Sequence, residues 1–137
     1  MPAFMQKTRD VTWEKIGKFI DIDNAKLEGE SALKQAEVSI LFDSRHCENI
    51  GSVLERWPKV TFNWHYECDE IFYIVEGGPI RVTCEGKILE GGAGDIFLFN
   101  RGTDLTFEIL GELVGLTVHF PKFEEIYQRY KNRAERV

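Results

Sequence analysis

The stretch from residue 62 to residue 77 constrains the fold more than any other part of the chain. It begins with a polar cluster of histidine, glutamate and cysteine and continues into residues 71–75, which are all β-branched or aromatic. A run of this kind is typical of a buried strand. The chain must turn at residues 76–79, because two glycines tolerate positive φ angles and a proline fixes the backbone. The sequence therefore predicts a buried strand with polar side chains at its N-terminal end.

Short apolar segments of the same kind recur along most of the chain. They predict further strands at residues 38–42, 52–55, 59–64, 80–84, 96–99, 105–110 and 113–120. Gly111 and Glu112 are expected to close a hairpin between the last two of these strands. Strands spaced at roughly 8–12 residues, with glycine turns between them, indicate an all-β sandwich or barrel.

The segments on either side of this barrel have different patterns. Phe123, Ile126, Tyr127 and Tyr130 lie at the i, i+3, i+4 and i+7 positions of an amphipathic helix. We therefore divide the chain into an N-terminal arm (residues 1–37), a barrel (38–121) and a C-terminal helix (122–137). The arm is predicted to pack on the barrel or to be exchanged between two subunits. Together with the apolar face of the helix, it favours a homodimer.

Composition excludes several classes of partner. The chain has 137 residues, of which 43% are hydrophobic, and this suffices for one domain with a core. Its net charge of −6 argues against binding to nucleic acids or to anionic membranes. Three cysteines without a CxxC pair indicate reduced thiols. The sequence has neither an apolar leader nor an apolar run of the ~20 residues that span a membrane, so a cytoplasmic protein is expected.

Residues 90–95 form a glycine-rich segment that allows two interpretations. A phosphate-binding loop would be followed by a helix and by Lys-Ser or Lys-Thr, whereas a strand is predicted here. The pattern therefore favours a β-turn. Gly-x-Ser-x-Gly and His-Glu-x-x-His motifs are also absent from the sequence, so the hydrolase classes that use them have no support.

The spacing of Glu70 and Gly77, followed by Gly94, Asp95 and the turn at residues 100–102, resembles the paired motifs of the cupin superfamily. Cupins are small jelly-roll β-barrels that often hold one divalent metal ion. The resemblance implies a single jelly-roll barrel here. It also implies four metal ligands, namely two histidines and a glutamate from the first motif and one histidine from the second. Such ligands suit Mn, Fe, Ni or Zn and leave open positions for a substrate.

Most of these expected ligands are replaced in this chain. With a four-residue spacer the first-motif histidine positions fall on residue 63 and His65, and with a three-residue spacer they fall on Trp64 and Tyr66. The second-motif histidine position falls on Leu105 in either case. Leu105 alternates with polar neighbours on the predicted buried face, and leucine cannot bind a metal. At most His65 and Glu70 remain as metal ligands.

Residues 50–121 resemble one group within the superfamily more closely. The Phe-x-Trp pair at residues 62–64, Asp-Glu-Ile at 69–71 and Glu-Gly at 76–77 are similar to the cupin domain of the ethanolamine-utilisation Q proteins. These belong with a larger group that includes the ureidoglycine aminohydrolases. The resemblance implies a role in small-amine metabolism. An acetate-kinase-like activity is attributed to members of the group, but nothing in this sequence resembles a nucleotide site.

We expect the functional side chains to face the barrel interior. Glu70 and Tyr66 are the candidate catalytic residues, because a carboxylate beside a buried strand needs a partner, a metal ion or a proton. Some of these candidates have a structural role as the alternative. The aromatic rings could belong to the core, and Glu70 could form a structural hydrogen bond or an ion pair with Arg101 or Arg81. Candidates for contacts to a ligand are Trp64, Glu67, Tyr73, Arg101 and His119.

Two functions of different classes fit this pattern. The first is a protein that binds a small polar metabolite in the barrel without a tightly held metal ion, as an accessory to amine catabolism. The second is a metal-dependent enzyme that acts on such a metabolite with a reduced ligand set, His65 and Glu70, to which Glu67 or His119 could contribute. The loss of a ligand at Leu105 favours the first function.

Overall fold

The computed structural model describes residues 2–19 and 34–135, and the side chains of the last helix as far as Tyr130. Within these ranges the chain forms ten strands and one α-helix, α1 (Phe123–Glu135), with short 3₁₀ turns that include Thr8–Asp10 and Ile16–Lys18. The strands are β1 (Glu14–Lys15), β2 (Glu37–Phe42), β3 (Gly51–Trp57), β4 (Val60–His65), β5 (Asp69–Gly77), β6 (Ile80–Cys84), β7 (Lys87–Gly91), β8 (Ile96–Phe99), β9 (Asp104–Ile109) and β10 (Leu113–Phe120).

The strands form two antiparallel sheets that enclose one core. In the described ranges, one sheet has six strands in the order β1-β2-β3-β10-β5-β8, and the other has four in the order β4-β9-β6-β7. Buried apolar side chains from both sheets belong to a single continuous cluster. Since burial of such side chains is the main favourable term in folding, this cluster is what holds the two sheets together. The expectation of an all-β jelly roll with a short C-terminal helix is confirmed.

Side-chain alternation along each strand decides what lies inside the barrel. In β10 the odd-numbered residues from Leu113 to His119 are buried and the intervening ones are more exposed. In β5 the even-numbered Phe72 and Ile74 are buried, whereas Ile71 is exposed. Successive side chains of a strand point to opposite faces, so the interior is assembled from every second residue of the central strands.

The N-terminal arm and α1 both pack on the barrel of their own chain. Strand β1 pairs with β2, and Ile16 belongs to the core. Ile126 of α1 is buried, and Phe19 meets Phe123 edge to face with ring centroids 5.4 Å apart. The C-terminal helix is therefore confirmed. Residues 20–33 of the predicted arm lie outside the described residues, and both the division of the chain and the homodimer stay predictions.

The structure contradicts one local prediction and adds a strand that was not predicted. The last two long strands do not form a hairpin, because β9 pairs with β4 and β6 whereas β10 pairs with β3 and β5 in the other sheet. A glycine turn permits a sharp reversal but does not determine which strand becomes the neighbour. Strand β7 is not predicted from the sequence, because Ile88 and Leu89 are both exposed at a sheet edge and give no alternating pattern.

The glycine that ends β5 provides a test of the fold. Gly77 has a φ of +81°, and a Cβ atom there would lie 2.0 Å from the carbonyl oxygen of Glu112. Gly86 has a similar φ of +76°, but no atom lies within 4 Å of its Cβ position. We expect Gly86→Ala to lower the free energy of unfolding by about 1–2 kcal/mol through backbone strain alone. Gly77→Ala should cost roughly 1–3 kcal/mol more, because the clash is added.

Urea denaturation of both variants beside the wild type measures this difference. Equal losses in the two variants would contradict the close packing of the β5 turn against the segment that precedes β10.

Candidate functional site

A cavity with a volume of about 110 Å³ lies inside the barrel. Its walls come from both sheets, and side chains of the arm and of α1 contribute to its lining. The volume is somewhat smaller than the roughly 150 Å³ of an apolar cavity that accommodates benzene. A molecule of a few non-hydrogen atoms therefore fits inside.

The lining of the cavity is largely apolar, with a few polar groups on three neighbouring strands. Glu55 comes from β3, Glu70 from β5, and Thr117 and His119 from β10, which lies between the other two. Tyr66, in the segment that connects β4 to β5, adds a hydroxyl group. A small number of polar groups in an apolar pocket is the usual composition of a site for a small molecule.

Glu70 is held by the hydroxyl group of Tyr66, which donates a hydrogen bond of 2.8 Å to Oε2 of Glu70. Burial raises the pKa of Glu70 well above its usual value, and repulsion by the Glu55 carboxylate raises it further, although the Tyr66 hydrogen bond opposes this. Burial likewise raises the pKa of Tyr66. Burial therefore favours the protonated form of the Glu70 carboxyl group, and Tyr66 is a neutral donor.

Glu55 is the second carboxyl group in the cavity, and the sequence analysis did not identify it. The indole Nε1 of Trp57 donates a hydrogen bond of 2.6 Å to Oε2 of Glu55. Burial raises the pKa of Glu55 to about 7, and hydrogen bonds from Trp57 and Thr117 limit the shift. Both glutamates keep some accessible surface because they line the cavity, but protein surrounds their carboxyl groups.

His119 lies next to Glu70, since the two residues are paired across β10 and β5. Its Nδ1 donates a hydrogen bond of 3.0 Å to the carbonyl oxygen of Pro121, which can only accept. Burial lowers the pKa of His119, so the ring is neutral and its Nε2 is an acceptor. Gly51 of β3 makes room for this ring, because a Cβ atom there would lie 2.5 Å from Cε1 of His119.

The middle of α1 is hydrogen-bonded to the end of β4 and to the segment that connects β4 to β5. The hydroxyl group of Tyr130 accepts hydrogen bonds from Nε1 of Trp64 at 3.1 Å and from the backbone N–H of Glu67 at 3.3 Å. The guanidinium group of Arg129 donates to the carbonyl oxygen of Glu67 at 2.8 Å. Since Tyr130 and Ile126 also line the cavity, these contacts hold the helix across it.

The structure brings only some of the predicted site residues together. Trp64, Tyr66, Glu70 and His119 all line the cavity. Glu67 is not among the lining residues, and its carboxylate lies 3.8 Å from Nε2 of His65.

Two further candidates also lie away from the cavity lining. Tyr73 points to the outer face of β5 and is 38% exposed. Arg101 is exposed, and its backbone N–H donates a hydrogen bond to the Asp69 carboxylate. Its guanidinium group does not form the suggested ion pair with Glu70. Arg81, the other suggested partner of Glu70, forms ion pairs with Glu90 and Glu108 instead.

The predicted metal pair, His65 and Glu70, is not assembled. His65 is absent from the cavity lining and its Nδ1 lies 2.7 Å from a carboxylate oxygen of Asp104, whereas Glu70 lines the cavity. Because Trp64 and Tyr66 face the same cavity as Glu70, the structure selects the three-residue spacer of the cupin motif.

The four expected ligand positions are then Trp64, Tyr66, Glu70 and the buried Leu105. Three of these side chains are not metal ligands of the expected kind. Among the residues that the structure describes, no group of three or more His, Cys, Asp or Glu side chains could hold a metal ion. The donor set therefore does not fit the metal centre that the resemblance implies.

Two polar residues of the cavity, Glu55 and Thr117, were missed in the sequence. Only the alternation of inward and outward residues along their strands indicates that they face the interior. Val53, Glu55 and Trp57 alternate with other residues in β3, and a carboxylate between two large apolar residues of one face is a sign of an inward acid. Thr117 lies between Gly115 and His119 on the inward face of β10 in the same way.

The fold and the cavity define this protein as a cupin β-barrel. The family model described as ethanolamine utilisation protein EutQ matches residues 8–123, most of the chain, and the chain belongs to that family. A comparison with curated proteins gives no significant match. None of the helices in the described ranges is long and apolar enough to cross a membrane.

Solved structures with the same fold are only distantly similar in sequence. The EutQ protein of Clostridium difficile superposes with a TM-score of 0.61 at 17% identity, covering 83% of this chain and 89% of that one. KdgF from a Halomonas species gives 0.64 at 16% identity, covering 91% and 98%. An RmlC-like cupin from Shewanella frigidimarina gives 0.57 at 18% identity, covering 73% and 88%. Identities this low support the fold alone.

The raised pKa of Glu55 predicts a specific pH dependence of stability. A carboxyl group whose pKa is raised on folding binds its proton more tightly in the folded protein, so stability falls as the pH rises from the unfolded pKa to the folded one. For a shift from 4.5 to about 7, Glu55 should cost on the order of 3 kcal/mol above that window. Glu55→Gln removes this cost and keeps the acceptor for Trp57.

Urea denaturation at about pH 5 and about pH 8 tests this prediction. Glu55→Gln should gain stability relative to the wild type at the higher pH, whereas the exposed control Glu112→Gln should change equally little at both. A Glu55→Gln effect that does not depend on pH would contradict a carboxyl group that is neutral in the folded state.

Proposed function

We propose that this protein binds a small amine, in its ammonium form, inside the barrel cavity, and that it is an accessory to the catabolism of such amines. One observation carries this proposal: Glu55 and Glu70 share one small cavity, and among the described residues neither carboxyl group is paired with a Lys, Arg or His side chain. Buried carboxylates are costly unless they are paired, bound to a metal ion or protonated.

An ammonium ligand would relieve this cost. In the free protein protonation relieves this cost, because burial raises the pKa of Glu55 to about 7 and raises that of Glu70 as well. A bound cation would favour their ionised forms, so the ligand would exchange for at least one proton. A primary ammonium group has three donors, and the cavity offers acceptors at Glu55, at Glu70 and at Nε2 of His119.

The rest of the cavity supports a small cation with a short apolar part. The rings of Trp57, Phe62 and Tyr66 line the cavity and can interact with a cation through their π-faces. The volume of about 110 Å³ leaves no room for a large side group. Family membership gives independent support, since the family is named for ethanolamine utilisation.

We place this function in the cytoplasm, as the sequence predicts. Cys47, Cys68 and Cys84 are all free thiols, which suits a reducing compartment. Burial raises the pKa of Cys68, so this cysteine in the cavity wall is a neutral thiol rather than a nucleophile.

A second candidate is an enzyme that acts on the same class of ligand by acid–base chemistry without a metal ion. The observation in its favour is the pKa of Glu55, raised by burial to about 7, because a general acid or base works best when its pKa lies near the working pH. Proton NMR of ethanolamine incubated with the protein separates the two candidates. An unchanged spectrum favours a binding protein, and new signals favour an enzyme.

The main test is titration calorimetry with ethanolamine, using ethylene glycol as an isosteric ligand without the ammonium group. We expect ethanolamine to bind more tightly at about pH 8 than at about pH 6, because binding requires ionised carboxylates. Binding should release protons, which is measured by repeating the titration in buffers with different ionisation enthalpies. Glu70→Gln should weaken binding by roughly 30-fold or more, because it removes one partner of a buried charge pair.

The exposed variant Glu112→Gln controls for the loss of one negative charge and should bind as the wild type does. Binding of ethylene glycol as tight as that of ethanolamine would contradict recognition of the ammonium group. Failure of ethanolamine, methylamine and propylamine to bind would contradict the proposal as a whole.

A further inference from the structure

Glu55 and Glu70 enter the cavity at different levels of the sheet. Glu55 of β3 pairs with Gly115 of β10, whereas Glu70 of β5 pairs with His119 of the same strand. Gly115 and His119 are separated by about 13 Å along β10, at the usual rise per residue of a strand. Since β3 and β5 also lie on opposite sides of β10, the two glutamates stand on a diagonal across three strands. The cavity therefore has a carboxyl group at each of two ends.

Each of these carboxyl groups is arranged as a hydrogen-bond acceptor. Oε2 of Glu55 accepts from the indole N–H of Trp57 at 2.6 Å, a distance as short as those to ionised acceptors. Oε2 of Glu70 accepts from the hydroxyl group of Tyr66 at 2.8 Å. Each of these bonds engages one oxygen of its carboxyl group, so the other oxygen can accept from a ligand.

The polar groups beside the two carboxyl groups add a further acceptor. Nε2 of His119 is an acceptor at the Glu70 end, because Nδ1 donates to the carbonyl oxygen of Pro121. The hydroxyl group of Thr117, which lies between the two ends on β10, donates to the carbonyl oxygen of Val53 at 3.1 Å. A ligand with hydrogen-bond donors at both of its ends therefore meets an acceptor at each.

We propose that the cavity prefers a short diamine, with one ammonium group bound at Glu55 and the other at Glu70. This inference rests on the proposed function and narrows its class of ligand. A single ammonium group balances one carboxylate, so the other carboxyl group has to keep its proton in an apolar site. Two ammonium groups balance both carboxylates and leave no unpaired charge in the cavity.

The dimensions of the cavity limit the length of the diamine. The volume of about 110 Å³ is smaller than the roughly 150 Å³ that accommodates benzene. 1,3-Diaminopropane has one non-hydrogen atom fewer than benzene and is therefore of suitable size. The remaining lining is largely apolar and includes Val53 and Phe72, which suits the alkyl chain between the two ammonium groups.

Titration calorimetry at about pH 7 tests the proposal with 1,3-diaminopropane, 3-amino-1-propanol and butylamine. These ligands have the same length and differ only at one end, which carries an ammonium, a hydroxyl or a methyl group. Both ends of the free diamine are protonated at this pH, because the pKa of an alkylammonium group is close to the ~10.4 of lysine. We expect the diamine to bind roughly 10-fold more tightly than butylamine, or better, with the amino alcohol between them.

Two variants test the assignment of the two ends. In Glu55→Gln and in Glu70→Gln the diamine should lose its advantage over butylamine, because one ammonium group then has no carboxylate partner. Glu112→Gln, which changes an exposed glutamate, should retain the advantage. Circular dichroism of the variants establishes that they are folded.

Equal binding of the diamine and of butylamine to the wild type would overturn the proposal and leave amine binding intact. Tighter binding of the amino alcohol, or an advantage of the diamine that persists in both Gln variants, would overturn it in the same way. Binding of ethanolamine without binding of any of the three longer ligands would also overturn it. Failure of ethanolamine to bind as well would contradict the proposed function itself.

Discussion

The whole structure depends on the two-residue alternation of three adjacent strands, β3, β10 and β5. One side of these strands builds the wall of the cavity and carries Glu55, Thr117, His119 and Glu70. A change of phase by one residue in β5 would put Glu70 into solvent and Ile71 into the cavity. The register of the sheet therefore determines both the chemistry inside the barrel and the character of the surface outside it.

Placing two carboxyl groups in one apolar cavity is a cost to the fold rather than a contribution to its stability. Each carboxylate disfavours ionisation of the other, and burial disfavours ionisation of both. Apolar residues in their place would fill the cavity and favour stability. Groups that cost stability and yet lie together in a pocket are candidates for function, and this argument supports the site independently of any resemblance in sequence.

Much of the fold could be predicted from the sequence, but the site could be predicted only in part. Strand existence and the C-terminal helix follow from patterns of apolar residues that span several positions. The face on which a residue near the end of a strand lies does not follow from such patterns. This orientation places Tyr66 in the cavity lining and His65 outside it. Glu55 was missed for a related reason: the apolar residues around it indicate a strand, but only the three-dimensional partners on β10 and β5 make its position a site.

The even-numbered residues from Trp64 to Glu70 all point into the barrel, although the chain passes from one sheet to the other along this stretch. Trp64, Tyr66, Cys68 and Glu70 all line the cavity, and β4 and β5 belong to different sheets. The aromatic rings therefore occupy the positions where the cupin motif has its histidines, and Tyr66 donates to the carboxyl group that the motif retains. An oxygen that would have bound a metal ion instead accepts a hydrogen bond from a neutral phenol, which leaves the charge of the carboxylate to be balanced by a proton or by a cationic ligand.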